Sequence, residues 1–161
     1  MDTTIYREEV THDDVAVVRN LAKSSGVFSG EELEIAVELV DERLAKGLVS
    51  GYRFLFFEES GTVKGYTCYG HTPGTQSSFD LYWIIVDASL KGRGIGTRLM
   101  TETEKRIRQL GGTRVYVETS SKQIYAPTRA FYLHCGYSLE AVLKDFYAPD
   151  DSLHIYLKVL A

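Results

Sequence analysis

The chain has 161 residues, 44% of them hydrophobic and 25% charged, which supplies one shared core and leaves too little length for two comfortable ones. A net charge of −4 argues against a general nucleic-acid binder, which needs a basic face. No apolar run approaches the ~18 residues of a membrane span, and the opening MDTTIYREEV lacks the basic-then-apolar layout of an export signal. The expectation is one domain over 1–161, cytoplasmic, with neither nucleic acid nor membrane as partner.

Taken in chain order, Thr4 to Glu8 reads as a short strand. Thr11 opens T-H-D-D, a capping-box pattern, and Val15, Val18, Leu21 and Ala22 carry a helix to about Ser24. Ser29 and Glu32 repeat the device, Leu33, Val37, Val40 and Leu44 follow at helical spacing, and Gly47 stops the helix. YRFLFFEE, the turn ESGT and VKGYTCYG form a hairpin. HTPGTQSS is a loop. FDLYWIIVD is a third long strand, apolar enough from Trp83 to Val86 to be buried on both faces. A helix runs from about Ile95 to Leu110, closed by Gly111-Gly112. TRVYVET is a strand with Val115 and Val117 alternating against polar neighbours. Pro127 suits the first turn of a short helix reaching Cys135, which Gly136 closes. YSLEAVLKDFY and SLHIYLKVL are two strands joined around Ala148 to Asp151. The order β-α-α-β-β-β-α-β-α-β-β is a mixed α/β layout.

Cys68 and Cys135 form neither a disulfide framework nor a metal signature, and no pair of His12, His71, His134 and His154 has ligand spacing, so no metal is expected. His71 ends a strand and is the best of the four as a base, with a polar loop role as the plainer reading.

Lys91-Gly92-Arg93-Gly94-Ile95-Gly96 lies between a buried strand and an amphipathic helix. Glycines there let backbone N–H groups turn toward an anion, and the helix N-terminus adds partial positive charge. Lys91, Arg93 and Arg98 add full charges, with no acid between Asp87 and Glu102. A P-loop requires GxxxxGK[ST], where Gly-Thr-Arg stands here. The third glycine of a dinucleotide fingerprint comes one residue early.

The spacing Lys91-x-x-Gly94-x-Gly96 resembles the acyl-coenzyme A (CoA) loop of the GNAT N-acetyltransferases, [Q/R]xxGxG[A/G], with Lys in place of Gln or Arg. Phe131-Tyr132-Leu133-His134-Cys135-Gly136-Tyr137 is similar to the family's FYxxxGF segment, with Tyr137 for the final Phe, and the element order also fits. Tyr125 and Thr128 stand where the family often has Asn and Ala, so no amide contact to the pantetheine arm is carried over.

The resemblance implies an α/β (α+β) fold. Its mixed sheet has about seven strands with four helices, and the fourth and fifth strands splay into a V that admits acetyl-CoA. It implies backbone pairing of Ile85 and Val86 with pantetheine. The phosphates would lie on the loop and first turn: Lys91, Gly92, Arg93, Gly94, Ile95, Gly96, Thr97 and Arg98. Tyr132 becomes the acid at the thioester sulfur. Asp80, at the start of the central strand, becomes a base acting through a water, with Tyr82 on the same strand face as a rival. The acceptor is an amine of unknown identity. Its pocket would draw on Val27, Phe28, Glu31, Glu34 and Glu38, with Asp145, Phe146, Tyr147, Asp150 and Asp151 opposite. Acids with aromatics there suit a cationic amine, although a solvated helix face and an acidic turn explain the same residues. The activity implied is N-acetyl transfer by direct attack on the thioester. The alternative is a catalytically silent acetyl-CoA-binding sensor or interaction module. A homodimer stays open.

Overall fold

The computed structural model describes residues 3–161. Among these, seven strands and four α-helices alternate as read: β1 (Thr4–Arg7), α1 (Asp13–Ser25), α2 (Gly30–Lys46), β2 (Arg53–Glu59), β3 (Thr62–His71), β4 (Ser78–Val86), α3 (Ile95–Gln109), β5 (Arg114–Ser120), α4 (Ala126–His134), β6 (Ser138–Ala148) and β7 (Asp151–Val159). Short 3-10 turns at Gly47–Ser50, Ala88–Leu90 and Gln123–Tyr125 are the additions. The strands form one mixed sheet in the order β1-β2-β3-β4-β5-β7-β6. β4 and β5 pair in parallel, whereas β1–β2, β2–β3, β5–β7 and β6–β7 are antiparallel. The parallel ladder covers Ser78–Leu81 against Arg114–Val117, although both strands run further, as a V between the fourth and fifth strands requires. The chain forms two compact units, one holding the residues up to Gly70 with Trp83–Thr103, the other His71–Tyr82 with Glu104–Ala161.

In the first unit, Val18, Leu21 and Ala22 of α1 and Ala36, Val37 and Val40 of α2 bury against Phe54, Phe56, Tyr66, Cys68 and Ile85. The rings of Phe54, Phe56 and Tyr66 stack with centroids 5.8–6.1 Å apart. The capping box at α2 is complete: Ser29 Oγ accepts from the Glu32 N–H, and Glu32 accepts from the Ser29 N–H.

The box expected at Thr11 is only half made. The Thr11 N–H and hydroxyl both donate to Asp14, so Thr11 caps nothing and His12 precedes the helix without a side-chain cap. Arg7 on β1 donates to both oxygens of the buried Asp14 carboxylate, at 2.8 and 2.9 Å. Burial pushes that carboxyl up, but the Arg7 guanidinium and the Thr11 donors outweigh it and hold it below its ordinary value.

The expectation that Trp83 to Val86 are buried on both faces is also corrected. Ile85 is buried, whereas Trp83, Ile84 and Val86 are only partly covered. The β5 ladder ends at Leu81, before these residues begin.

In the second unit, Val115 and Val117 are buried on one face of the sheet with Phe79, Leu81 and Tyr156, and Ile107, Tyr132 and Tyr137 are buried as well. Glu104 is buried there with its charge answered. Tyr137 donates its hydroxyl to Oε2 at 2.9 Å, and Lys158 donates to Oε1 at 2.9 Å and to the Cys135 carbonyl at 2.8 Å. Neither cysteine is disulfide-bonded, and burial pushes the Cys68 thiol well above its ordinary value, away from nucleophilic use.

Candidate functional site

The glycine segment leads from β4 into α3 as expected. Gly92 and Gly94 have φ of 88° and 77°, conformations that residues with a Cβ rarely adopt, and a Cβ built on either meets nothing within 4 Å. The helical ladder of α3 opens with the Arg98 N–H donating to the Gly94 carbonyl at 3.1 Å. The N–H groups of Ile95, Gly96 and Thr97 therefore precede the ladder at an exposed helix start. Open space, left-handed glycines and leading N–H groups suit a phosphate.

Two of the three cations there are engaged. Arg93 donates to Glu59, with its closest contact at 3.2 Å, and the Arg98 guanidinium lies 5.0 Å from the Phe57 ring centroid. Lys91 is exposed. The strand entering the loop is held by close approach: a Cβ on Gly65 of β3 would lie 3.0 Å from the Ile85 carbonyl oxygen and 3.3 Å from Val86 Cγ2. Gly65 thus lets β3 approach closely the two residues expected to meet pantetheine.

α4 delivers Tyr132 into the core of the second unit, with centroid distances of 5.8 Å to Phe131, 6.2 Å to Tyr137 and 5.8 Å to Tyr156. The end of α4 explains part of the FYxxxGY pattern. Gly136 takes φ 90°, the Gly136 N–H donates to the Leu133 carbonyl, and the Tyr137 N–H reaches back to the Tyr132 carbonyl at 3.0 Å. That is a Schellman stop, and its customary apolar contact is the Tyr132–Tyr137 ring pair. Burial, with Cys135 and Tyr156 nearby, pushes the Tyr132 phenol far above its ordinary value, so it stays protonated.

Asp80 is half-buried on β4 and accepts a 2.7 Å hydrogen bond from the Thr72 hydroxyl. The ladder sets Asp80 opposite Tyr116, so Glu118, two residues on, shares its sheet face. Partial desolvation of an otherwise exposed side chain and the Asp80 charge push the Glu118 carboxyl above its ordinary value. Glu118 is the residue that reading the sequence missed. Its signal was the two-residue period of VYVET, once the register against Asp80 was known. Tyr82 is exposed. His71 is occupied by a 2.9 Å hydrogen bond to the Thr75 carbonyl and an edge contact with Phe79, which fits the loop role.

Several candidate acceptor acids have structural tasks. Glu34 pairs with Arg19. Asp145 accepts from the Asp150 N–H at 2.9 Å within the β6–β7 turn. Asp151 is buried against the Ser120 hydroxyl, with Lys122 at 3.5 Å. Among the described residues no cluster of His, Cys, Asp or Glu is placed to hold a metal ion, and no helix is long and apolar enough to cross a membrane.

Comparison with known proteins agrees with this geometry. A crystal structure described as a GNAT-family acetyltransferase from Desulfovibrio desulfuricans is 42% identical, covers 99% of this chain and 100% of its own, and superposes with a TM-score of 0.96. Blasticidin-S acetyltransferase of Streptomyces morookaense is 38% identical over 92 residues, 56% of this chain, and the match spans 62% of that relative's length. An aminoglycoside 6'-N-acetyltransferase solved with coenzyme A shares the fold, with a TM-score of 0.76 at 17% identity over 98% of this chain and 97% of that one. The model of the acetyltransferase (GNAT) family matches residues 18–137, and the chain belongs to that family.

Proposed function

We propose that this protein transfers the acetyl group of acetyl-CoA to a primary amine of a small molecule or peptide, by direct attack of the amine on the thioester. The observation that carries the reading is the pair of left-handed glycines, Gly92 and Gly94, with open space beside them, on the family's loop pattern and at the head of a helix. The loop backbone and Lys91 would hold the pyrophosphate, with Arg93 and Arg98 nearby. Ile85 and Val86 would orient the thioester arm through their backbone. One relative is named for blasticidin-S, which makes blasticidin-S the first acceptor to try.

An ammonium acceptor, with an ordinary lysine-type pKa of ~10.4, must lose a proton before attack. The Asp80–Glu118 pair is the proposed acceptor of that proton, through a water, with Glu118 the better-matched member because its affinity for a proton is raised. Tyr132 is the proposed acid. A thiol, ordinarily of pKa ~8.5, leaves as a weaker base than the phenolate that would replace it. Tyr132 therefore serves the departing sulfur first as a hydrogen-bond donor, and a completed transfer needs the amine's proton in exchange. The same burial favours the second reading, a silent acetyl-CoA binder in which Tyr132 only packs.

The test is thiol release from acetyl-CoA over a panel of amines. Turnover with at least one, and its fall by ~100-fold in Tyr132→Phe with cofactor affinity kept, is the expected result. Binding without turnover on any amine selects the silent reading. Asp80→Asn removes the charge that raises Glu118, so the acidic limb of the rate profile should move to lower pH. Glu118→Gln should cost most near neutrality and least at high pH, where neutral amine is abundant. A uniform loss in both variants would remove the pair from proton transfer.

A further inference from the structure

We propose that a second small-molecule site lies at the base of the first unit, where Arg43 and Arg53 grip the carboxylate of a zwitterionic α-amino acid. The place is a cavity of about 390 Å³ lined by Glu8, Glu9, Arg43, Leu48, Arg53 and Phe54. That volume falls at the small end of the usual range for small-molecule pockets. None of its residues belongs to the glycine loop or to the Asp80, Glu118 and Tyr132 set, and the inference does not depend on acetyl transfer.

The two arginines define the site. Elsewhere in the unit Arg7 pairs with Asp14 and Glu58, Arg19 with Glu34 and Arg93 with Glu59, while Arg98 lies over the Phe57 ring. Among the described residues neither Arg43 nor Arg53 forms an ion pair. Arg43 instead spends one N–H on the Tyr52 carbonyl at 2.9 Å, which fixes its plane and leaves the rest of its donor fork unspent. Burial and the neighbouring Arg53 charge push the Arg43 guanidinium below its ordinary value, and no carboxylate offsets them. Two guanidiniums lining one cavity, neither of them in an ion pair, can receive a ligand carboxylate.

The rest of the lining narrows the class. Glu8 and Glu9 are exposed on the same cavity, so a dianion such as phosphate meets two negative charges. An ammonium beside the carboxylate is instead attracted by the negative charge there. Leu48, 55% exposed, offers an apolar wall. A free amino acid with an aliphatic side chain satisfies all three features.

The experiment is calorimetric titration and thermal unfolding of the full chain with L-leucine, at constant ionic strength. Its arms are leucine amide, which lacks the carboxylate, isovalerate, which lacks the ammonium, and inorganic phosphate. Leucine should bind and raise Tm, and each arm should bind at least about tenfold more weakly. Arg53→Gln, at a half-buried side chain without an ion pair, should keep the unliganded Tm and weaken leucine by at least about tenfold. Glu8→Gln with Glu9→Gln should strengthen isovalerate relative to leucine. Absence of leucine binding, equal binding in Arg53→Gln, or phosphate or isovalerate binding as tightly as leucine would each overturn the proposal.

Discussion

The two ends of α3 are both made of glycine and are built for opposite purposes. At the head, Gly92 and Gly94 face empty space, and only their backbone angles demand glycine. At the tail, Gly111 takes φ 87°, its N–H and that of Gly112 return to the Arg108 and Ile107 carbonyls, and a Cβ on Gly112 would lie 2.3 Å from Ile107 Cγ2 and 2.7 Å from Phe79 Cδ1. The tail is a filled Schellman stop, and the head is an unfilled one-sided cradle. One kind of residue thus marks a binding surface where its surroundings are vacant and a packing constraint where they are not.

The largest effect expected from breaking this contrast is at the tail. Gly112→Ala drives a methyl into the Ile107 and Phe79 side chains and should destabilise the fold by about 3 kcal/mol, read by urea unfolding. Acetyl-CoA affinity per folded molecule should stay unchanged.

Gly94→Asp reverses the pattern. It places a carboxylate where phosphate is proposed, and Asp tolerates a left-handed backbone better than most residues. The loss of acetyl-CoA affinity should exceed tenfold, about 1.4 kcal/mol, by calorimetry, while Tm moves little. A strong fall in Tm with affinity kept would make the head a structural turn.

Glu104→Gln probes the tail half of the helix without touching its glycines. It keeps the shape, removes the charge facing Lys158, and should cost about 2 kcal/mol of stability. Replacing Lys158 with Met as well should return part of that loss, which a double-mutant cycle reads out.

The smallest change is expected at Lys91→Gln. One exposed cation near the phosphates should alter acetyl-CoA affinity a few-fold, about 0.5–1 kcal/mol, with the difference shrinking as salt is added.

Local signals carried most of the fold. Apolar spacing located all seven strands and four helices, and the pairing of Ser29 with Glu32 formed as written. Where local reading failed, a distant residue had intervened. Thr11 donates to Asp14 and caps nothing, and Asp14 is shared between Thr11 and Arg7. Trp83 to Val86 look like a doubly buried strand because composition does not reveal where the β5 ladder ends. The same divide runs through the candidate site. The glycine loop is contiguous and was legible at once. The acids were not, because their roles depend on partners far along the chain. Glu118 gains its interest from Asp80, whereas Glu34 and Asp151 lose theirs to Arg19, Ser120 and Lys122.

The stop at the end of α4 bears on what keeps the phenol in position. α4 has nine residues, fewer than a helix needs to persist alone in water. Its terminal turn leans on Tyr137, and its Tyr132 ring leans on Tyr156, 24 positions later in the chain. Tyr132 should therefore keep its orientation only while Tyr156 of the β6–β7 hairpin is docked against it. Dilute denaturant that loosens the hairpin should dissolve the short helix with it, so the phenol has no fixed orientation in any partly folded form of the second unit.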